Sequence, residues 1–171
     1  MRNTLLILVA LVAPALASPA ERFLEAAEAG DLQTMSRIHV RVDCRDDEGE
    51  TALMEAAEEG HLEVVRWLLE QGARPNLHDD EGETALIEAA EEGRRDVVAL
   101  LLDWGAFINA HNHRGRTALM EAVTEGHTEV VALLLQRGAA VGLVDNRGRS
   151  AFDLAAGNQA MLDLLARRGG N

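Results

Sequence analysis

Apolar positions recur along this chain at helical spacing, in short runs that end at glycines. In "TALMEAAEEG", Leu53, Ala56 and Ala57 share one face and Gly60 stops the run. In "HLEVVRWLLEQGA", Leu62, Val65, Leu68 and Leu69 share a face and Gly72 falls just past the end. Each run predicts a short amphipathic helix. Between one pair of runs and the next lies "ARPNLHDDEG", polar and punctuated by Pro75, Asn76 and Gly82, which predicts an extended loop with a turn. The pattern is that of an all-α chain.

The runs repeat. Gly49, Gly82, Gly115 and Gly148 lie 33 residues apart, as do Thr51, Thr84, Thr117 and Ser150. Gly60, Gly93 and Gly126 keep that period, and so do Gly72, Gly105 and Gly138. A fixed period of this length predicts a solenoid. Five units follow: residues 21–45, 46–78, 79–111, 112–144 and 145–171. The first is three residues shorter than its successors between Gly30 and Asp46, and the last drops two residues before Gly157, so both read as caps. Helices this short are marginal alone in water and hold only when stacked units bury a continuous core. Asn76, Asn109 and Gly142 share one slot, and all three tolerate left-handed backbone, so a positive φ is expected there.

These residues resemble the ankyrin repeat family, whose pattern runs close to D-x-x-G-x-T-P-L-H-x-A-A-x-x-G-H-x-E-V-V-x-L-L-L-x-x-G-A-x-x-N. The match extends from about Glu21 to Asn171. Two departures stand out. The family's Pro is Ala52, Ala85, Ala118 and Ala151 here, and its His is Met54, Ile87, Met120 and Asp153. Ala is a good helix former, so the first change is mild. The second removes a side-chain network that ties units together in the family. The resemblance implies an all-α ankyrin-repeat solenoid, about five helix-turn-helix units with extended loops. It also implies a non-enzymatic scaffold that binds another protein through its loop tips and the inner faces of its first helices. Transferred by register, the partner-binding positions are Asp47, Glu48, Glu50, Glu58 and Glu59 in the second unit and Asp80, Glu81, Glu83, Glu91 and Glu92 in the third. Beyond them come His113, Arg114 and Arg116 in the fourth unit and Arg147 and Arg149 in the fifth. Glu55, Glu88 and Glu121 add to the same side, and His61 and His127 occupy the family's structural Gly-His slot.

Charge sharpens this reading. The 171 residues carry a net charge of −13 with 16 basic residues, all Arg, so nucleic acid is not an expected partner. The loop slot changes sign along the array, from "DDEGE" twice to "NHRGR" and "DNRGR", predicting a face polarised from acidic to basic. A solubility role competes with this, because charge runs are commonly solvated faces; block segregation of sign favours recognition.

The N-terminus differs from the rest. "MRNT", the apolar run Leu5–Ala13 and "ALA" before Ser18 make the pattern of a secretory signal, residues 1–17, cleaved after Ala17. The run is too short to span a bilayer, which needs about 20 residues. An uncleaved anchor or a buried first helix is the competing reading. Ser rather than Cys at position 18 gives no lipoprotein anchor, so a monomer in the periplasm or secreted, without membrane insertion after cleavage, is expected. Arg-rich usage without Lys suggests a GC-rich bacterium. The chain is similar to small exported bacterial ankyrin-repeat proteins, some of which are linked to oxidative-stress enzymes such as catalases.

No G-x-S-x-G, H-E-x-x-H, phosphate loop or C-x-x-C is present, and no cofactor is indicated. Cys44, the single cysteine, reads as a small buried hydrophobe, with a catalytic thiol as the alternative. A second hypothesis is a metal- or cation-binding protein using His78, His111, His113 and Asp80, although no closed ligand spacing marks them. Calcium is a further option, without the 12-residue ligand loop of the EF-hand. Trp67 fills an apolar slot and reads as core; Trp104, next to Gly105, reads as partly exposed.

Overall fold

The computed structural model describes residues 17–168. The predicted signal segment lies outside them except for Ala17. Among the described residues ten helices run in order: α1 Pro19–Glu28, α2 Leu32–Met35, α3 Ala52–Glu58, α4 Leu62–Glu70, α5 Ala85–Glu91, α6 Arg95–Asp103, α7 Ala118–Glu125, α8 Thr128–Gln136, α9 Ala151–Leu154 and α10 Gln159–Arg168. They form five consecutive pairs, one for each predicted unit. The first helices stack in a row, α1 on α3, α3 on α5, α5 on α7 and α7 on α9, and the second helices α4, α6, α8 and α10 stack in a parallel layer. No strand occurs among the described residues. Isolated antiparallel bridges, Arg45–Thr51, His111–Thr117 and Val144–Ser150, pinch the loops.

Each unit starts its first helix in the same way. Thr51, Thr84 and Thr117 accept a hydrogen bond from the backbone amides of Met54, Ile87 and Met120 at 3.4, 3.3 and 3.4 Å. Ser150 does so with Asp153, which reaches back to the Ser150 amide at 2.7 Å. Such caps satisfy amides that the helix itself leaves without partners. In the first unit Ser18 and Glu21 form the reciprocal capping box. The core lies between the two layers. Leu68, Leu101, Leu134 and the Ala pairs 56–57 and 89–90 are fully buried, and the small Ala side chains let first helices approach closely. Met54, Ile87 and Met120, where the family has His, are no more than 1% exposed, so apolar packing replaces the polar network. Trp67 packs at a tilt on Phe23, ring centroids 6.4 Å apart, while Trp104 is 45% exposed.

The slot of Asn76, Asn109 and Gly142 behaves otherwise than expected. No non-glycine residue among those described has positive φ, and Gly142 does not either. The Asn side chains instead stitch units together. Asn76 Nδ2 donates to Gly105 O at 3.0 Å and its Oδ1 accepts from Phe107 N at 2.7 Å; Asn109 Oδ1 accepts from Ala140 N at 2.9 Å. The Gly-His slot is a second stitch. His61 Nε2 bonds Glu28 O at 2.8 Å, and Arg94, in the same slot, donates from Nε to Glu58 O at 2.7 Å. These side chains and His127 lie so close to Gly30, Gly60 and Gly93 that a Cβ there would meet them at 2.8, 2.8 and 2.6 Å.

Candidate functional site

The loops are shaped by one side chain each. Asp46 Oδ1 accepts from the amides of Glu48 and Glu50 at 2.9 and 2.8 Å, and Asp79 Oδ1 from those of Glu81 and Glu83 at 2.9 and 2.7 Å. Asn112 and Asp145 repeat the turn. Short polar side chains favour this local bonding. Neighbouring tips are then joined by backbone bonds: Asp80 N to Glu48 O, His113 N to Glu81 O, and Asn146 N to Arg114 O, at 3.0, 2.9 and 3.0 Å. The tips are therefore fixed in register.

This register gathers the acidic positions. Asp47, Glu48, Glu50, Glu58, Asp80, Glu81, Glu83, Glu91 and Glu92 line one cleft of about 460 Å³, with Asp79 and Glu88 as further acids and Arg114 as the lone basic residue. Glu59 is exposed and stands outside it. Asp79 was not among the residues transferred by register; its signal was its recurrence at the start of "DDEGE". The cleft is not a uniform rim of solvated charge. Asp47, Glu48, Asp80 and Glu81 are exposed, whereas Glu50 is half-buried and Glu83 only 7% exposed. Glu83 is thus not the loop-tip contact that the register implied. Its Oε1 accepts from Asn112 Nδ2 at 2.7 Å and Arg114 at 2.9 Å.

Crowded carboxylates raise one another's affinity for protons. Glu55 is pushed up to about 8, by burial first and then by the charge of Glu50, to which its acid form donates a hydrogen bond. Glu88 is raised well above the usual range, by burial first and then by Glu50, Glu58 and Asp79. Burial also raises Glu50 and Glu58, and it raises Glu83 in spite of Asn112 and Arg114.

The basic end is different from the expected free Arg patch. Arg114 engages Glu83 at 2.9 Å and Arg116 engages Glu121 at 2.5 Å. Arg149 pairs with Asp145 at 2.8 Å. Arg116 has only 13% of its side chain exposed. Of the four, Arg147 alone makes no ion pair among the described residues. The acidic block is left largely uncompensated and most of the basic block is spent on the fold's own carboxylates, because Arg114, Arg116 and Arg149 each lie beside a carboxylate from their own or the preceding unit. Glu121, placed by register with the binding side, is 2% exposed and buried against Arg116.

The predicted histidine set is not assembled. His78, His111 and His113 are exposed, and none belongs to a group of three metal-capable side chains among the described residues. His113 lies over Gly82, where a Cβ would meet its ring at 2.8 Å. Cys44 is half-buried against the core, and burial pushes its thiol up, away from the thiolate a nucleophile needs.

Stacked helix pairs whose loops line up on one edge define a repeat solenoid, which binds through surfaces rather than enclosed pockets. A family model described as ankyrin repeats (3 copies) matches residues 23–112 and 105–171. The chain belongs to the ankyrin repeat family, whose members are generally protein–protein interaction modules. No curated protein matched it. No helix of the described residues is long and apolar enough to cross a membrane.

Proposed function

We propose that the protein is an exported, non-enzymatic scaffold, acting as a monomer in the periplasm or outside the cell, that captures a basic segment of another protein in its acidic cleft. The observation that carries this reading is the cleft itself: eleven carboxylates of the second and third units face one groove whose lone cation, Arg114, is already bonded to Glu83. A basic segment would replace the missing counter-charge, setting register and encounter rate. Export rests on the signal pattern of residues 1–17. An oxidative-stress enzyme such as a catalase, suggested by resemblance alone, is one candidate partner.

The test is retrieval of partners from the native host's exported fraction by the mature chain, read by mass spectrometry. Glu48→Arg with Glu81→Arg should abolish retention of the partner. Glu63→Arg with Glu70→Arg, both exposed on α4, should leave it intact. Equal loss from both pairs would mean that only overall charge matters. Intact-mass measurement on protein from the same host should show a chain starting at Ser18; a chain retaining residues 1–17 would overturn the exported location.

A further inference from the structure

The floor of the cleft holds carboxylate oxygens that no group of the fold satisfies. Glu88 projects from α5, and its Oε2 is buried without a hydrogen-bond partner. Glu83, 7% exposed, uses Oε1 for Asn112 and Arg114 but leaves Oε2 buried and unpartnered. A buried polar atom left in this state is costly and calls for a partner the chain does not itself supply. Beside Glu88, ligand oxygens of Glu50 and Asp79 come within 4.8 Å of it and of each other. Asp79 spends Oδ1 on the amides of Glu81 and Glu83, so Oδ2 is free to point elsewhere. The three acids come from two units: Glu50 ends the loop of the second, and Asp79 and Glu88 belong to the third.

We propose that Glu50, Asp79 and Glu88 form a binding site for a hard divalent cation of the calcium class, which clamps the second unit to the third. The donors are all carboxylate oxygens, with no nitrogen or sulfur, which selects hard cations over zinc or copper. Oxygens on opposite sides of Ca²⁺, each at about 2.3–2.6 Å, stand roughly 5 Å apart, so three donors within the observed spacing can surround it. Mg²⁺ demands near-ideal octahedral geometry and gives up its waters reluctantly, so three carboxylates on a partly open, two-unit site suit it less well. Water from the open side of the cleft completes the shell. The rim acids Asp47, Glu48, Asp80 and Glu81 stay exposed, so the site does not depend on the partner capture proposed above. Three carboxylates on a partly open site place the affinity in the range of extracellular modules, about 10⁻⁴–10⁻³ M.

The test uses the full chain, stripped with chelator and titrated with CaCl₂ to about 10 mM at fixed ionic strength, by calorimetry and thermal unfolding. One saturable site and an upward shift in Tm are expected, with Mg²⁺ weaker. Glu88→Gln should lower the Ca²⁺ affinity about tenfold or more. Asp79→Asn should do the same while keeping the turn, since Asn112 makes the same two amide bonds in the fourth unit at 2.9 Å each. Glu129→Gln, exposed on α8, should bind as wild type. The proposal is overturned if no saturable Ca²⁺ binding occurs, or if NaCl of matched ionic strength gives the same Tm gain. It is overturned equally if Zn²⁺ binds in preference to Ca²⁺, or if Asp79→Asn binds as wild type; that last variant decides the matter should Glu88→Gln not fold.

Discussion

Replacing Asn112 by Asp would restore the residue found in the same slot of the second, third and fifth units, yet the structure calls for a loss of stability. At every one of these slots a side-chain oxygen accepts the two turn amides, and Asp would keep those bonds. Asn112 adds a donor. Its Nδ2 reaches Glu83 Oε1 at 2.7 Å and Glu121 Oε1 at 3.4 Å, and the three residues are 1%, 7% and 2% exposed. Asp cannot donate when ionised, and it sets a third carboxylate against two. The lost bond to a charged acceptor is worth about 1.5–3 kcal/mol, and like-charge crowding adds to it, so about 3 kcal/mol at pH 7 is expected. For a chain of this size that lowers Tm by roughly 6–12 °C. Urea unfolding followed by far-ultraviolet circular dichroism measures the difference. The new carboxyl has a folded pKa above its unfolded value, so it destabilises at high pH and ceases to do so once protonated in both states. The gap to wild type should therefore narrow as pH falls toward about 4. A loss under about 0.5 kcal/mol, or a gap that widens on acidification, would refute the reasoning.

Asn76→Ala removes the bonds to Gly105 O and from Phe107 N and should cost about 1–2 kcal/mol in urea unfolding, through the contact of the second unit with the third. Gly93→Ala should cost more than Gly72→Ala. Both have positive φ, +71° and +89°, but a Cβ at Gly93 would meet His127 at 2.6 Å while Gly72 opens to free space. The backbone strain alone is worth about 1–2 kcal/mol, and a Tm comparison of the two variants isolates the clash. Asp145 is held down to about 2, chiefly by the backbone amide of Arg149, with the Arg149 side chain assisting against burial. Its stabilising effect is present above the ordinary value of 3.8 and is lost as pH falls through about 2. Asp145→Asn should be less stable at neutral pH and should flatten the acid limb of the stability profile; an unchanged limb would contradict the Arg149 pairing.

The sequence by itself determined the frame of this protein. Glycines and threonines at a 33-residue period, with apolar residues at helical spacing between them, fixed the helix pairs, their caps and their buried faces, because those depend on interactions within a few residues. The doubled "DDEGE" likewise marked the acidic side before any coordinates. What tertiary structure decided lies between units, where residues about one period apart meet. Asn76 looked like a residue chosen for backbone freedom and proved to be a stitch to Gly105 and Phe107. Arg114, Arg116 and Arg149 looked like a free basic patch, but the stack lays Glu83 of the preceding unit against Arg114, and the folded loops turn Arg116 and Arg149 onto Glu121 and Asp145 of their own units. For Arg114 no local pattern reveals the compensation, since its partner lies 31 residues away and a charge's availability depends on what the fold lays beside it. Glu88 shows the converse: in the stack this acid is half-buried, its Oε2 closed off with no partner, and only the packed arrangement distinguishes it from the solvated Glu at the loop tips.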